Sequence, residues 1–538
     1  LTKGRNMMSM TIYSGGTILT MEEPLYAEAV LVEDGVIRAV GEKSVLRQGC
    51  PPETEEMDLQ GAVLLPAFID PHSHITALAQ TLGSVDLTGA KSFAEIVQKL
   101  QAFIQKTKPA PGQWVTAFGY DNNFLAEKRH PDRQLLDQIK YPVIVTHASG
   151  HMGAANSLGL KEMGVCAETP DPEGGVVGRE ADGRTPNGYL EETAFSSFTA
   201  KIPQPSQEQL LRQMELAQDI YLQNGITTVQ DGLTVPVRWE MLKGLAEQNR
   251  LKADVVAYPD LKDNRALAAE NLPYCKQYCN RLKIGGYKIF LDGSPQGRTA
   301  WMTQPYENGE AGYKGYPIYQ DAQVESFMRE ALRDDMQLLV HCNGDAAAQQ
   351  MIDAYEKVLA ESRTEQQIRP VMIHAQLVRQ DQLEKMAKLR MIASFFVAHT
   401  WYWGDVHLQN FGEARAIRIS PARSAIESGV IYTFHQDTPV IQPNMLETIW
   451  CAVNRISKNG MVMGEEERVT PLEALRAVTT NAAYQYFEED EKGSIRAGKR
   501  ADFVILDRDP LQVNPMDIKD ISVLATIKDG RAVYEASR

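Results

Sequence analysis

The stretch Leu64-Leu65-Pro66-Ala67-Phe68-Ile69-Asp70-Pro71-His72-Ser73-His74 runs from apolar residues straight into two histidines separated by one residue. On extended backbone, side chains at i and i+2 leave the same face of the strand. The spacing therefore aims His72 and His74 at one point, where two imidazoles can share a metal ion. A lone His-x-His doublet is more often incidental than a ligand pair. Its meaning depends on what the other strands bring.

Downstream, apolar strand candidates alternate with amphipathic segments. The strands cover residues 225–231, 251–258, 284–292, 336–342, 370–376, 391–399 and 430–437, which with the His72/His74 strand make eight. Helical spacing of apolar residues marks 207–224, 321–335, 347–362 and 381–390. This α/β alternation predicts a (β/α)8 TIM-type barrel. A doubly wound open sheet is the rival, but no Gly-rich fingerprint follows the first strand.

The two ends of the chain read differently. Residues 12–19 and 29–40 alternate apolar and polar positions around Asp34-Gly35, a hairpin turn signal. Residues 501–506 and 523–534 do the same around Asp529-Gly530. Isolated hairpins are hardly stable, so the termini are expected to build one small β-sandwich, with 1–66 and 491–538 as its parts and 67–490 as the barrel. About 150 residues separate strands 1 and 2, too many for one helix and a loop. Residues 112–200 are read as an insertion subdomain, which in a barrel would overhang the active face and enclose the substrate.

Composition narrows the function. The 538 residues carry 55 basic and 70 acidic side chains, a formal charge of −15. That balance argues against nucleic acid and against anionic membranes as partners. No apolar run reaches ~18 residues, the length of a membrane span, and the first residues lack the apolar core of a secretory signal. Six scattered cysteines read as free thiols of a cytoplasmic protein. The expected partner is a small-molecule substrate, and a homodimer is compatible with this reading.

The polar residues that close the apolar strands carry the chemistry. His341 ends Gln337-Leu-Leu-Val-His341, His374 ends Val371-Met-Ile-His374, Asp437 ends the last strand, and Lys288 sits within Gly286-Tyr-Lys288-Ile-Phe-Leu-Asp292. Barrel enzymes place active-site groups at such ends. One buried histidine is usually a hydrogen-bonded core residue. Four histidines, a lysine and an aspartate, all at strand ends, are hard to explain that way. Neutral imidazoles and carboxylates suit Zn2+ and similar divalent ions.

This order of groups, with the split terminal sandwich, resembles the amidohydrolase superfamily. More narrowly it is similar to the YtcJ-like branch, which includes N-substituted formamide deformylases. The segments that carry the likeness are Gly119-Tyr-Asp121, Gly150-His151 through Asn156, Lys288-Ile-Phe-Leu-Asp-Gly-Ser294 with Arg298-Thr-Ala300, His341-Cys-Asn-Gly-Asp345, His374-Ala-Gln376 and Asp437-Thr-Pro-Val440.

The resemblance implies a metal-dependent hydrolase acting on carbon–nitrogen bonds other than peptide bonds, an N-substituted formamide or N-acyl compound being the expected substrate. It implies that His72, His74 and Asp437 hold one ion, that His341 and His374 hold another, and that a carboxylated Lys288 bridges both. A neutral or salt-bridged Lys288 beside a single ion is the alternative. Asp437 would act as general base and acid on the water and the departing amine.

For substrate contacts the expectation is Tyr120, Asp121 and His151 from the insertion, Arg298, His399 at the end of strand 7, and Trp401 in an aromatic cluster just past it. His147 and His435 read equally as packed groups behind the ligands, and His130 and His407 as loop or surface residues. Ester or lactone hydrolysis stays open. Ring deaminases of the superfamily carry a Glu three residues after the strand-5 histidine, where this chain has Gly344. A scaffold that has lost catalysis is the non-enzymatic alternative.

Overall fold

A computed structural model describes residues 10–122, 124–147, 152–173, 175–203, 206–362 and 368–537; His151 lies outside the described residues. Val63–Pro66 pairs antiparallel with Phe503–Leu506, Leu64 opposite Ile505, and parallel with Thr17–Leu19. The apolar run thus stitches both ends of the chain into one six-stranded sheet. Pro66 has no N–H to donate, and the chain leaves that sheet there. Two residues on, Phe68–Ile69 pairs in parallel with Ile226–Thr234 in a different sheet.

A four-stranded sheet of Val36–Gly41, Ala29–Glu33, Met10–Ser14 and Glu55–Asp58 completes the terminal region. Tyr13, Val30 and Ile37 from it share one buried cluster with Ile18, Leu64, Phe503 and Ile527 of the six-stranded sheet, the face-to-face packing of a sandwich. Its hairpins turn at Asp34-Gly35 (φ 48° and 79°) and Asp529-Gly530 (φ 48° and 73°). Two successive positive φ angles give the twist that suits antiparallel partners.

The central strands are β1 (Phe68–Ile69), β2 (Ile226–Thr234), β3 (Asp254–Pro259), β4 (Gly286–Phe290), β5 (Gln337–Cys342), β6 (Val371–His374), β7 (Ile392–Phe395) and β8 (Ile431–Phe434). Every pairing among them is parallel. They form two sheets, not one continuous one. A four-stranded sheet holds β1, β2, β3 and a short strand, Leu282–Ile284; a five-stranded sheet runs β4 to β8 in order.

The fourth expected strand, 284–292, is divided because the chain changes sheets at Gly285-Gly286. A Cβ on Gly286 would lie 2.1 Å from the Gln337 carbonyl oxygen, so no larger residue fits there. One parallel bridge, Asp260 to Lys288, links β3 and β4. At the other edge, the Asp437 N–H donates to the His72 carbonyl at 3.2 Å and the His74 N–H to the Thr438 carbonyl at 2.8 Å. Ile69, Val256, Leu339, Val371, Ile373 and Ile392, drawn from both sheets, share one buried cluster.

Helices Gln207–Gln223, Asp321–Arg333, Asp345–Ser362 and Gln380–Lys388 form where the apolar periodicity placed them. In Asp321–Arg333 the buried residues are Val324, Met328, Ala331 and Leu332, a single stripe. Strand 7 is shorter than expected. It ends at Phe395, and His399 opens the helix His399–Phe411.

Ala77–Leu216 forms a compact unit of its own, and residues 112–200 lie inside it. A six-stranded sheet organises this unit, with Val115–Tyr120 between Val85–Asp86 and Val143–His147. Helix Phe93–Thr107, capped by the Ser92 side chain on the Glu95 N–H, buries Ile96 and Leu100 in the same cluster as Val115 and Val143. Among the described residues no helix is long and apolar enough to cross a membrane.

The N-terminal end of β3 carries a buried ion cluster. Asp254 Oδ2 lies 2.7 Å from both Lys492 Nζ and Lys528 Nζ, and Lys528 reaches Asp502 at 2.6 Å. Glu488 pairs with Lys492 at 2.7 Å and with Lys283. Buried charges persist only when paired, so this cluster fixes the C-terminal strands against the parallel sheet.

Candidate metal centre

Three expected ligands converge. One ligand atom each from His72, His374 and Asp437 lie within 4.8 Å of one another. Asp437 Oδ1 is 3.3 Å from His72 Nε2 and 3.1 Å from His74 Nε2, and its Oδ2 is 3.9 Å from His374 Nε2. His72 and His74 do not lie on a regular strand, since β1 stops at Ile69, yet their rings meet edge-on at 5.1 Å. His341 joins from β5 with its ring 4.5 Å from that of His374. Two of the group sit on left-handed backbone, His374 at φ 71° and Asp437 at φ 54°. Such positions hold about 1–3 kcal/mol of strain each and collect at functional sites.

A neighbouring amide orients His72, and a fixed carboxylate stands beside His341. His72 Nδ1 lies 2.7 Å from Gln230 Oε1, whose amide is held in that sense by Nε2 donating to the Pro71 carbonyl at 2.8 Å. A Cβ on Gly232 would stand 2.7 Å from His72 Cε1, so glycine there makes room for the ring. Asp292 Oδ1 lies 3.3 Å from His341 Nδ1 without a hydrogen bond between them, and the Asp292 carboxylate is fixed by the N–H groups of Asn343, Gly344 and Trp301 at 2.7–3.0 Å. Gln230 and Asp292 received no role from the sequence. The available signal was a polar side chain inside or closing an apolar strand.

Electrostatics favours ligand-ready protonation states. Burial, then the Lys288 charge, hold His72 well below the usual imidazole range; burial and His341 do the same to His374. Burial alone would raise the Asp437 carboxyl, but the His74 hydrogen bond and the neighbouring imidazoles outweigh it and keep Asp437 well below the usual carboxylate range. Lys288 is fully buried, its Nζ has no hydrogen-bond partner among the described residues, and burial pushes it down to about 7.

Neutral imidazoles, a carboxylate and an orphaned amine are a donor set that fits a divalent ion. His72, His374 and Asp437, with His74 and His341 alongside, are the groups that would hold it.

The expected substrate contacts divide. His399 is buried beside the ligands, its ring 6.2 Å from His374, 4.2 Å from Phe396 and 5.3 Å from Trp403. Trp401 turns elsewhere on the same helix, packing edge-on against Trp450 at 5.2 Å under Lys519. Arg298 is exposed and donates to the Asn308 carbonyl at 2.7 Å. His407 is a correction: it is fully buried, not on a surface, with Nε2 2.9 Å from the Gln376 amide nitrogen.

Tyr120 and Asp121 belong to the Ala77–Leu216 unit. There the Tyr120 hydroxyl meets His130 Nδ1 at 3.0 Å, and Asp121 lies 3.6 Å from His147.

Comparison with known proteins agrees with this chemistry. The amidohydrolase family profile matches residues 55–534. The chain is 28% identical over 524 residues to an N-substituted formamide deformylase of Arthrobacter pascens, covering 95% of each chain. It is also 28% identical to YtcJ of Bacillus subtilis, covering 98% of this chain and 99% of that one. Among solved structures it is similar to an uncharacterized metal-dependent hydrolase from Pyrococcus furiosus, with 27% identity, a TM-score of 0.75, and coverage of 94% of this chain and 100% of that one.

Proposed function

Because this chain belongs to the amidohydrolase family, we propose that it hydrolyses the carbon–nitrogen bond of a small amide, an N-substituted formamide or N-acyl compound, at a site holding divalent metal. The observation that carries the reading is the convergence of His72, His374 and Asp437 within 4.8 Å. The relative from Arthrobacter pascens named for formamide deformylation supports the substrate class. We read the two parallel sheets as arcs of one (β/α)8 barrel whose C-terminal strand ends present this site.

A divalent ion, when bound, acidifies water and polarises the scissile carbonyl. The protein's own groups do the rest. Asp437, ionised and largely buried, accepts the proton of the attacking water and returns it to the departing nitrogen. His399 lies where it can line the substrate's path. Lys288, buried without a partner, is the group whose carboxylation would replace a misplaced cation by an anion beside the ligands.

Metal analysis of the purified protein, with a hydrolysis screen over formamides, N-acyl amino acids and lactones, tests the proposal. Tightly held divalent metal and release of amine from an amide are expected. A protein with neither overturns it, and turnover confined to lactones moves it to the ester class.

A further inference from the structure

His435 carries no role in the site as described, yet its ring lies against two of the ligand imidazoles. It is fully buried and meets the rings of His72 edge-on at 5.1 Å and His374 at 5.2 Å. Its Nε2 is 3.2 Å from His374 Nδ1, and its Nδ1 is 2.9 Å from Ser394 Oγ. The three residues come from neighbouring strands. His374 ends β6, Ser394 lies on β7, and His435 follows β8. His435 therefore spans β7 to reach β6, above a residue small enough to let it pass.

The direction of this chain has a consequence. A neutral imidazole has one N–H donor and one acceptor nitrogen. If His374 Nε2, the atom facing Asp437, is to keep its lone pair for a metal, the ring proton must sit on Nδ1. That proton needs an acceptor, and the group in reach is His435 Nε2. His435 must then carry its own proton on Nδ1, where the Ser394 hydroxyl accepts it. The reverse order would place the His374 proton on Nε2 and block ligation.

We propose that His435 is a positioning residue that, backed by Ser394, locks His374 in the Nδ1–H tautomer and so tunes the metal affinity of the site. The inference rests on the reading of His374 as a ligand.

The test compares Zn2+ affinity, by competition with a chromophoric chelator, and thermal unfolding of the metal-free protein. His435→Phe keeps an aromatic ring but removes the acceptor, and Zn2+ affinity should fall about 10–100-fold, as for other partners of ligating histidines. His435→Gln, whose Oε1 can take the place of Nε2, should restore most of it. Ser394→Ala should weaken Zn2+ binding by a smaller factor with unfolding unchanged.

Zn2+ binding at wild-type strength in a folded His435→Phe overturns the proposal. If His435→Phe does not fold, Ser394→Ala decides alone, and wild-type affinity there overturns it. His374→Ala and Asp437→Asn separate the two readings. If they too bind Zn2+ normally, the ligand assignment has failed. If they lose it while His435→Phe does not, only the positioning role has.

Discussion

Gln230 Oε1 sits 2.7 Å from His72 Nδ1, so the amide oxygen, which only accepts, keeps the His72 proton on Nδ1 and leaves Nε2 open toward Asp437. The amide cannot turn over without giving up its bonds to the Pro71 carbonyl and the Tyr486 hydroxyl, at 2.8 and 2.9 Å. Replacing Gln230 by Leu should lower metal affinity about 10–100-fold, the usual effect of losing such a partner. Gly232→Ala should act in the same direction by displacing the ring. Metal titration against a chelator checks both, and unchanged affinity in Gln230→Leu would show that His72 needs no such support.

Asp437→Asn retains the shape of the side chain but not its charge. With the proton acceptor gone, turnover should fall by a factor on the order of 10²–10⁴, and His72→Ala should abolish it. Circular dichroism should show both variants folded. Activity within a few-fold of wild type in either one would refute the site assignment.

Much of this site was legible because its residues close apolar runs. The histidines on β5 and β6 each close a short stretch of buried aliphatic residues, and the aspartate follows β8, where Tyr432, Thr433 and Phe434 are buried, a pattern that period and composition reveal. The partners of those residues were hidden. Gln230 is 158 positions from His72 in sequence, and no local pattern states which distant strand will lie beside another.

His399 shows a different limit. Phe395-Phe-Val-Ala-His399 is a continuous apolar run, and such a run cannot separate the end of a strand from the start of a buried helix. His407 misled for a different reason: a lone polar residue on a helix reads as solvent-facing unless its buried partner, here the Gln376 amide, is known. The division of the parallel strands into two sheets was also unreadable, since the approach of Gly286 to Gln337 is a tertiary contact.

Lys288 sets stability against function. Its ammonium is fully buried with no hydrogen-bond partner among the described residues, and leaving a buried donor unsatisfied costs about 1–3 kcal/mol. Lys288→Met should therefore stabilise the metal-free protein by a similar amount while hydrolysis is lost. Urea unfolding and an amide hydrolysis assay on the same preparation read both quantities. A variant that is less stable and still active would remove Lys288 from the machinery.

The ion cluster below β3 predicts an acid response. Burial alone would raise the Glu488 carboxyl, but Lys492 and Lys283 together outweigh it and hold it at about 2, against an ordinary value of 4.5. Between those values the unfolded chain binds more protons than the folded one, so stability falls as pH drops through this window and is fully present above it. Asp254, held down by Lys492 and Lys528 against its own burial, acts in the same sense.

Glu488→Gln keeps the volume but leaves Lys283 and Lys492 under-compensated, which should cost about 3–5 kcal/mol at neutral pH, as breaking one side of a buried pair does. The difference from wild type should shrink as the wild-type carboxyl is itself protonated on acidification. Urea unfolding of both proteins at pH 7, and again at progressively lower pH, measures the gap; a gap that stays constant across the acid range would mean that Glu488 is not ionised in the folded state.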